Sequence, residues 1–145
     1  MKKVKIAMAC DHAGYCKKEM IKEYLEKQGH IVKDFGTYSE ESVDYSDFAH
    51  PMAEAVESKE FDLGISLCGS GNGISMTANK HQGIRSALCW NVEISELARK
   101  HNDANVCSVP ARFVTDKLAM EIVKAFLSTE FEGGRHERRI KKIPV

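Results

Sequence analysis

The sequence has no excess of charge, no paired cysteine motif and no long apolar run, and each absence argues against a class of protein. Its 145 residues carry 21 basic and 21 acidic side chains, and only 8% are aromatic, which argues against a nucleic-acid-binding surface. The five cysteines are odd in number and form no C-x-x-C pair, which favours reduced thiols over a disulfide framework. No apolar run approaches the roughly 18 residues of a membrane span, and Lys5 and Asp11 interrupt the run that a secretory signal would need. We therefore expect a cytoplasmic protein.

Apolar runs typical of strands alternate along the chain with apolar residues at helical spacing. The strand-like runs cover 4–9, 30–35, 63–67, 85–90 and 105–110, and the helical patterns cover 15–28, a stretch from about 46, 74–80, 92–101 and 115–127. Strands joined by such short crossovers form an open parallel sheet with helices on both faces. The pattern predicts one α/β domain over 1–145, with a parallel sheet of about five strands.

Polar residues follow several of the predicted strands directly. Asp11 and His12 follow the first strand, Cys68 begins a polar turn after the third, and Trp90 and Arg112 lie in the turns after the last two. Ligands of open parallel sheets bind outside the carboxyl ends of the strands. We expect these residues to gather at one edge of the sheet.

The most informative stretch is the glycine-rich turn after the third strand. It consists of Cys68, Gly69, Ser70, Gly71, Asn72 and Gly73. Three alternating glycines indicate close approach of the backbone to a ligand, and the first N–H groups of a following helix have no intrahelical partner, so such turns bind anions. A cysteine beside these donors is favoured as a thiolate. We interpret Cys68 as the catalytic centre; the alternative for this residue alone is a small buried apolar side chain. A dinucleotide-binding fingerprint would need glycine at position 74, where the chain has Ile74.

Two histidines are further candidates for chemistry. His12 and His101, taken singly, fit a hydrogen-bonded structural or surface position better than a role in acid–base catalysis. A zinc site from Cys10, His12 and Cys68 is conceivable, but the close ligand spacing of structural zinc sites is missing.

The end of the chain is basic. Residues 135–145 hold five basic residues against one acidic residue, a net charge of +4, so the preceding 134 residues sum to −4. Arg135 and Arg139 are four apart, so on a helix they share a face and could bind one phosphate together. The alternative for both, and for Arg112, is a plain surface charge. We expect the tail, 133–145, to dock on the body of the protein or on a partner subunit.

Five motifs, in order and spread over essentially the whole chain, resemble ribose-5-phosphate isomerase type B, whose wider family includes galactose-6-phosphate and allose-6-phosphate isomerases. The motifs are A-C-D-H-A-G-Y (9–15), C-G-S-G-N-G-I-S (68–75), A-N-K (78–80), R-K-H-N-D-A-N-V (99–106) and G-G-R-H-E-R-R-I (133–140). The resemblance implies a Rossmann-like three-layer sandwich and an aldose–ketose isomerase that interconverts D-ribose 5-phosphate and D-ribulose 5-phosphate. It further implies no metal or other cofactor, and a homodimer or homotetramer with sites between subunits.

The resemblance also implies a role for each matching residue. Cys68 is similar to the base that moves a proton between C1 and C2, and Ser70 with the backbone of 69–73 is similar to an anion hole for the enediolate. His101 resembles the group that opens the furanose ring. The implied sugar-hydroxyl contacts are Asp11 and Asn102, and the implied phosphate clamp is His12, Arg112, Arg135 and Arg139.

The chain departs from one branch of this family, in which the base is a glutamate six residues after the position of Cys68. Ile74 stands at that position here, so the role of base goes to Cys68. Ser70 replaces the threonine of many cysteine-type relatives and keeps the hydroxyl. Two alternatives stay open: a hexose-6-phosphate isomerase with a deeper pocket, and a non-catalytic module that binds a nucleotide or a sugar phosphate.

Overall fold

Five parallel strands form the centre of the molecule in the computed structural model, which describes residues 2–145. They are β1 (Lys5–Cys10), β2 (Ile31–Asp34), β3 (Leu63–Cys68), β4 (Ser86–Leu88) and β5 (Val106–Pro110). Their order across the sheet is β2-β1-β3-β5-β4, and every neighbouring pair is parallel. β3, which leads into the glycine-rich turn, is therefore the central strand. The predicted parallel sheet of about five strands is confirmed.

Helices cover both faces of the sheet, which confirms the three-layer arrangement. They are α1 (Tyr15–Lys27), α2 (Tyr45–Glu57), α3 (Asn72–Ala78), α4 (Val92–Asn102), α5 (Asp116–Ser128) and α6 (Arg135–Ile140), and a 3₁₀ turn (His12–Gly14) precedes α1. Successive residues of a strand point to opposite faces. Accordingly, Ile6 and Met8 of β1 lie in the core beneath α1, α4 and α5, whereas Ala7 and Ala9 lie in the core beneath α2 and α3.

Side-chain caps fix where two of the helices begin. The Asn91 side chain accepts a hydrogen bond from the amide of Ile94 (2.9 Å) at the start of α4. The Thr115 hydroxyl accepts one from the amide of Leu118 (3.1 Å) at the start of α5. Each cap satisfies an amide with no intrahelical partner and contributes about 1 kcal/mol. Thr115 is therefore the N-cap of α5.

The edge strand β4 is shorter than the predicted run of 85–90. On its outer side this strand forms hydrogen bonds with the side chain of Asn79 and not with a further strand. Asn79 Oδ1 accepts from the backbone N–H of Ser86 (2.8 Å), and Asn79 Nδ2 donates to the Ser86 carbonyl (2.9 Å). This pairing satisfies the exposed edge and limits the regular strand to three residues.

The basic tail forms α6 and docks on the body of the same chain, against α4. His136 and Ile140 are buried in that contact, whereas Arg135 and Arg139 are exposed. No helix within 2–145 is long and apolar enough to cross a bilayer.

Candidate active site

The carboxyl ends of β1, β3 and β5 meet at one edge of the sheet, as the sequence predicts. Three backbone hydrogen bonds join the segments that follow them: Asp11 N–H to the Leu67 carbonyl (3.2 Å), Ala111 N–H to Cys68 (2.9 Å) and Arg112 N–H to Gly69 (2.9 Å). This edge therefore brings together Asp11, His12, the turn 69–73 and Arg112.

Cys68 is the last residue of β3 and a free thiol that is only 4% exposed. Its side chain packs with Ala49 of α2 and Ile74 of α3. Position 74 is thus a packing position beneath the thiol, which explains why an apolar residue fits there.

The turn 69–73 presents unpaired amides at the strand end. Within 2–145, the backbone N–H groups of Gly69, Ser70, Gly71 and Gly73 donate no hydrogen bond, whereas that of Asn72 donates to the Ser70 hydroxyl (3.2 Å). Oriented, unpaired N–H groups of this kind bind an anion or a developing oxyanion.

Two of the glycines in this turn are required by geometry. Gly71 has φ of +79°, and a Cβ there would lie 2.5 Å from Leu88. A Cβ at Gly73 would lie 2.3 Å from the ring of Tyr45. Tyr45, the first residue of α2, is therefore a wall of the site that the sequence analysis missed, because nothing local at 45 indicates contact with 73.

Asp11 and His12 are held by the backbone around them. The Asp11 carboxylate accepts from the amides of Ala13 (3.0 Å) and Gly14 (3.3 Å), and His12 Nδ1 accepts from the amide of Val43 (3.2 Å). Because Nδ1 of His12 accepts, its proton lies on Nε2, which is a donor suited to a phosphate oxygen. Cys10 and Cys68 do not join His12 in a metal-ligand cluster within 2–145. Burial also raises the pKa of the Cys10 thiol to about 12.

Arg112 places positive charge over the turn. Its guanidinium lies so close to Gly69 that a Cβ there would be 3.2 Å from Nη1. The side chain is otherwise exposed, so its remaining N–H donors are available to an anionic ligand.

The remaining predicted site residues lie at the opposite edge of the sheet, where the strands have their amino ends. They are His101, Asn102, Arg135 and Arg139. α4 starts after the carboxyl end of β4 and runs back, so its last residues, His101 and Asn102, lie near Arg85, which precedes β4. The Arg85 Nε donates to the Asn102 carbonyl (2.9 Å). A helix of 11 residues spans about 16 Å. One chain therefore does not bring His101 or Asn102 beside Cys68.

His101 has neighbours at this edge that the sequence analysis also missed. Its ring stacks on that of His136 with centroids 4.3 Å apart, and its Nε2 lies 4.0 Å from the Glu132 carboxylate. Burial, together with His101 and Arg135, lowers the pKa of His136. Arg135 and Arg139 lie on the same short helix as His136, so α6, which packs against α4, carries two guanidinium groups.

Residues 6–143 match the Ribose/Galactose Isomerase family. The chain belongs to this family. It is 45% identical over 139 residues to ribose-5-phosphate isomerase B of Escherichia coli strain K12, which covers 96% of this chain and 93% of the relative. A crystal structure of a ribose 5-phosphate isomerase from Thermotoga maritima is 52% identical, covers 99% of both chains and superposes with a TM-score of 0.96.

A second similar protein has been solved with a ligand bound. The ribose-5-phosphate isomerase B from Mycoplasma genitalium, with ribulose-5-phosphate bound, is 44% identical and has a TM-score of 0.92, over 96% of this chain and 93% of that one. The family predicted from the five sequence motifs is confirmed.

Proposed function

We propose that this chain interconverts D-ribose 5-phosphate and D-ribulose 5-phosphate. The observation that carries the proposal is the position of Cys68, whose thiol lies at the carboxyl end of the central strand, directly before a turn of unpaired amides. An aldose–ketose isomerase needs a base beside donors for an oxyanion, and this strand end offers both. The relatives named ribose-5-phosphate isomerase B support the same substrate.

In the proposed reaction the Cys68 thiolate removes the proton from C2 of the open-chain aldose. The electron pair forms the C1–C2 double bond, and the oxygen on C1 becomes negative. Transfer of the hydroxyl proton from O2 to O1 and return of the first proton to C1 give the ketose, so the step is redox-neutral. The unpaired amides of the turn 69–73, with the Ser70 hydroxyl, stabilise the enediolate by roughly 3 kcal/mol for each well-placed donor.

We propose that two subunits complete each site, in a homodimer or homotetramer. His12 and Arg112 of one subunit hold the phosphate from the Cys68 side, and Asp11 contacts a sugar hydroxyl. The second subunit supplies His101 for ring opening, Asn102 for a sugar hydroxyl, and Arg135 and Arg139 for the phosphate. Closed two-fold symmetry gives every site both halves. The +4 tail then faces a substrate dianion.

The proposal is tested with the purified chain in chelator-treated buffer. Ribose 5-phosphate should yield ribulose 5-phosphate. The C2 hydrogen should exchange with solvent deuterium, because the proton removed from C2 is held by the Cys68 thiol, where it can exchange with water. Side-by-side kcat/KM values for ribose 5-phosphate, allose 6-phosphate and galactose 6-phosphate identify the preferred substrate.

The main alternative is a hexose-6-phosphate isomerase, which is compatible with the family description because that description names galactose beside ribose. Higher kcat/KM on either hexose phosphate would establish it in place of the pentose reaction. Ligand binding with no product and no solvent exchange would instead indicate a non-catalytic binding module.

We also propose that the protein works in a reducing compartment, the cytoplasm. All five thiols are free, and four of them are buried. Fractionation of cells followed by detection of the chain would test this.

A further inference from the structure

We propose that His101, Glu132 and His136 form a binding site for a divalent transition-metal ion such as Zn²⁺, and that a bound ion blocks isomerisation by occupying His101. The blocking part rests on the proposed function of His101. The binding part does not, because it depends only on the three side chains and their positions.

The distances suit one ion. One ligand atom from each residue lies within 4.8 Å of the other two. The Glu132 carboxylate is 3.5 Å from His136 Nε2 and 4.0 Å from His101 Nε2. Ligands at about 2.1 Å in a tetrahedral zinc site are about 3.4 Å apart. Glu132 and His136 already have this separation, and His101 must move inward and rotate to complete the set.

His136 Nε2 provides the independent observation. It is buried and has no hydrogen-bond partner within 2–145, and the residue is only 5% exposed. A buried polar atom without a partner carries an energetic cost. A metal ion bound to this nitrogen would satisfy it, with two imidazoles and one carboxylate as the zinc-type ligand set and water in the fourth position.

The backbone holds the three residues together from two elements. The Glu132 amide donates to the Lys100 carbonyl (3.1 Å), which pins the segment before α6 to the last turn of α4. The two rings stack nearly parallel, 14° between planes, so the exposed His101 ring must turn for both in-plane nitrogen lone pairs to face one ion. The His101 and Glu132 side chains are 40% and 52% exposed, so an ion can enter from solvent.

The charges around the cluster act in both directions. Arg135 and Arg139 on α6 repel a cation, whereas Glu132 and the carbonyl end of α4 attract one. The second histidine pair of the chain offers a contrast: His50 Nδ1 and His81 Nε2 already share a hydrogen bond of 2.8 Å. That pair serves as the matched control.

The experiment titrates Zn²⁺ into the purified full chain by calorimetry and by competition with a chromophoric chelator, and Co²⁺ for its visible spectrum. We expect one site per chain and a tetrahedral cobalt spectrum without a sulfur charge-transfer band. Glu132→Gln and His136→Gln should each weaken binding at least about tenfold, and His50→Gln should leave it unchanged. Because His136 is buried, the exposed isostere Glu132→Gln keeps the test valid if the other variant misfolds.

The same variants test the blocking part. Zn²⁺ should inhibit the wild-type isomerase with half-inhibition near the measured Kd, and Glu132→Gln should shift the half-inhibitory concentration by the same factor as its Kd. No zinc binding, or binding lost in His50→Gln but kept in Glu132→Gln, would overturn the site. Binding without inhibition would overturn the blocking part alone. If the wild-type chain shows no isomerase activity, the proposed function fails while the titration still decides the metal site.

Discussion

Cys68 and Cys16 differ in burial and in surroundings. Cys68 is only 4% exposed and lies directly before the unpaired amides of the turn 69–73. Cys16, by contrast, is exposed on α1 and bonds to the Glu40 carboxylate. The proposed chemistry therefore requires the thiol of Cys68 and does not require that of Cys16.

Cys68→Ala should lower kcat/KM by about 10³ or more, because a positioned general base contributes about 10²–10⁴ and its removal leaves no replacement. Binding of sugar phosphate, measured by calorimetry, should persist, since the phosphate contacts are intact. Cys16→Ala is the control and should keep full activity. Retention of most activity in Cys68→Ala would remove this residue from the mechanism.

His101→Asn should impair turnover of cyclic ribose 5-phosphate far more than turnover of an open-chain substrate. The proposed role of His101 is proton transfer during ring opening, and an open-chain substrate bypasses that step. His50→Asn, the same change at an exposed histidine outside the site, provides the comparison. Equal damage to both substrates would contradict a ring-opening role.

At the scale of an element, the turn 69–73 needs glycine for two separable reasons. Gly71 combines a left-handed backbone with a crowded surrounding, whereas Gly133 has a similar φ of +70° and nothing within 4 Å of an added Cβ. Comparing alanine at the two positions separates backbone strain from crowding.

Gly71→Ala should destabilise the fold by about 2–4 kcal/mol in urea unfolding, because strain of about 1–2 kcal/mol adds to overpacking against Leu88. Gly133→Ala should cost only about 1–2 kcal/mol. Gly71→Ala should also lose isomerase activity, since the amides change direction. Equal destabilisation by the two variants would show that crowding at 71 is unimportant.

A buried ion pair joins α1 to the end of β2. Lys18 is fully buried, and its ammonium donates to Asp34 (2.6 Å) and to the Thr37 carbonyl (2.8 Å). Burial raises the pKa of Asp34, but hydrogen bonds from Lys18 and the Gly36 amide outweigh it, so the pKa is lowered overall. A carboxylate with a lowered folded pKa stabilises the fold above its unfolded pKa and loses that contribution as the pH falls through the folded value.

Asp34→Asn should destabilise the protein by about 3–5 kcal/mol at pH 7, because the buried ammonium loses its closer carboxylate partner and keeps only Glu19 at 3.4 Å. The difference from wild type should shrink as the pH falls from about 4 towards the lowered folded pKa, because Asp34 is protonated in the unfolded chain before it is protonated in the folded protein. Glu23→Gln, which breaks the exposed pair with Lys27, should cost about 0.5 kcal/mol or less. Urea unfolding across pH 3–8 measures both; a pH-independent difference at Asp34 would contradict the lowered pKa.

At the scale of the whole molecule, the two halves of the proposed site lie on opposite edges of one sheet. Cys68 is the last residue of β3 at one edge, and His101 lies in the last turn of α4 at the other. Sites shared between subunits predict complementation between two defective chains.

Cys68→Ala and His101→Asn chains, unfolded together and reassembled, should recover about a quarter of wild-type activity. Half of randomly formed dimers are mixed, and each mixed dimer has one intact site of two. Each variant reassembled alone supplies the baseline. No recovery in the mixture, with mixed oligomers verified by mass spectrometry, would place the whole site in one chain.

Much of this protein was predictable from local patterns. The alternation of strand-like apolar runs and helical patterns predicted strands and helices close to their observed bounds. The glycine-rich sequence of residues 68–73 identified the turn with its free amides. The gathering of Asp11, His12 and Arg112 at that turn followed from the rule that parallel strands end at one edge. The position of His101 could have been found by the same rule, since a helix after a parallel strand returns to the other edge.

The sequence by itself determined the succession of strands and helices along the chain, the parallel α/β class, the family and the chemistry of the turn. Each of these is encoded in residues that are neighbours in the sequence. Only the tertiary structure decided that His101 and Cys68 are separated in one chain, that His136 stacks on His101, and that Lys18 is buried against Asp34. These contacts join residues far apart in sequence or on different elements, and no local periodicity reports which elements will pack together.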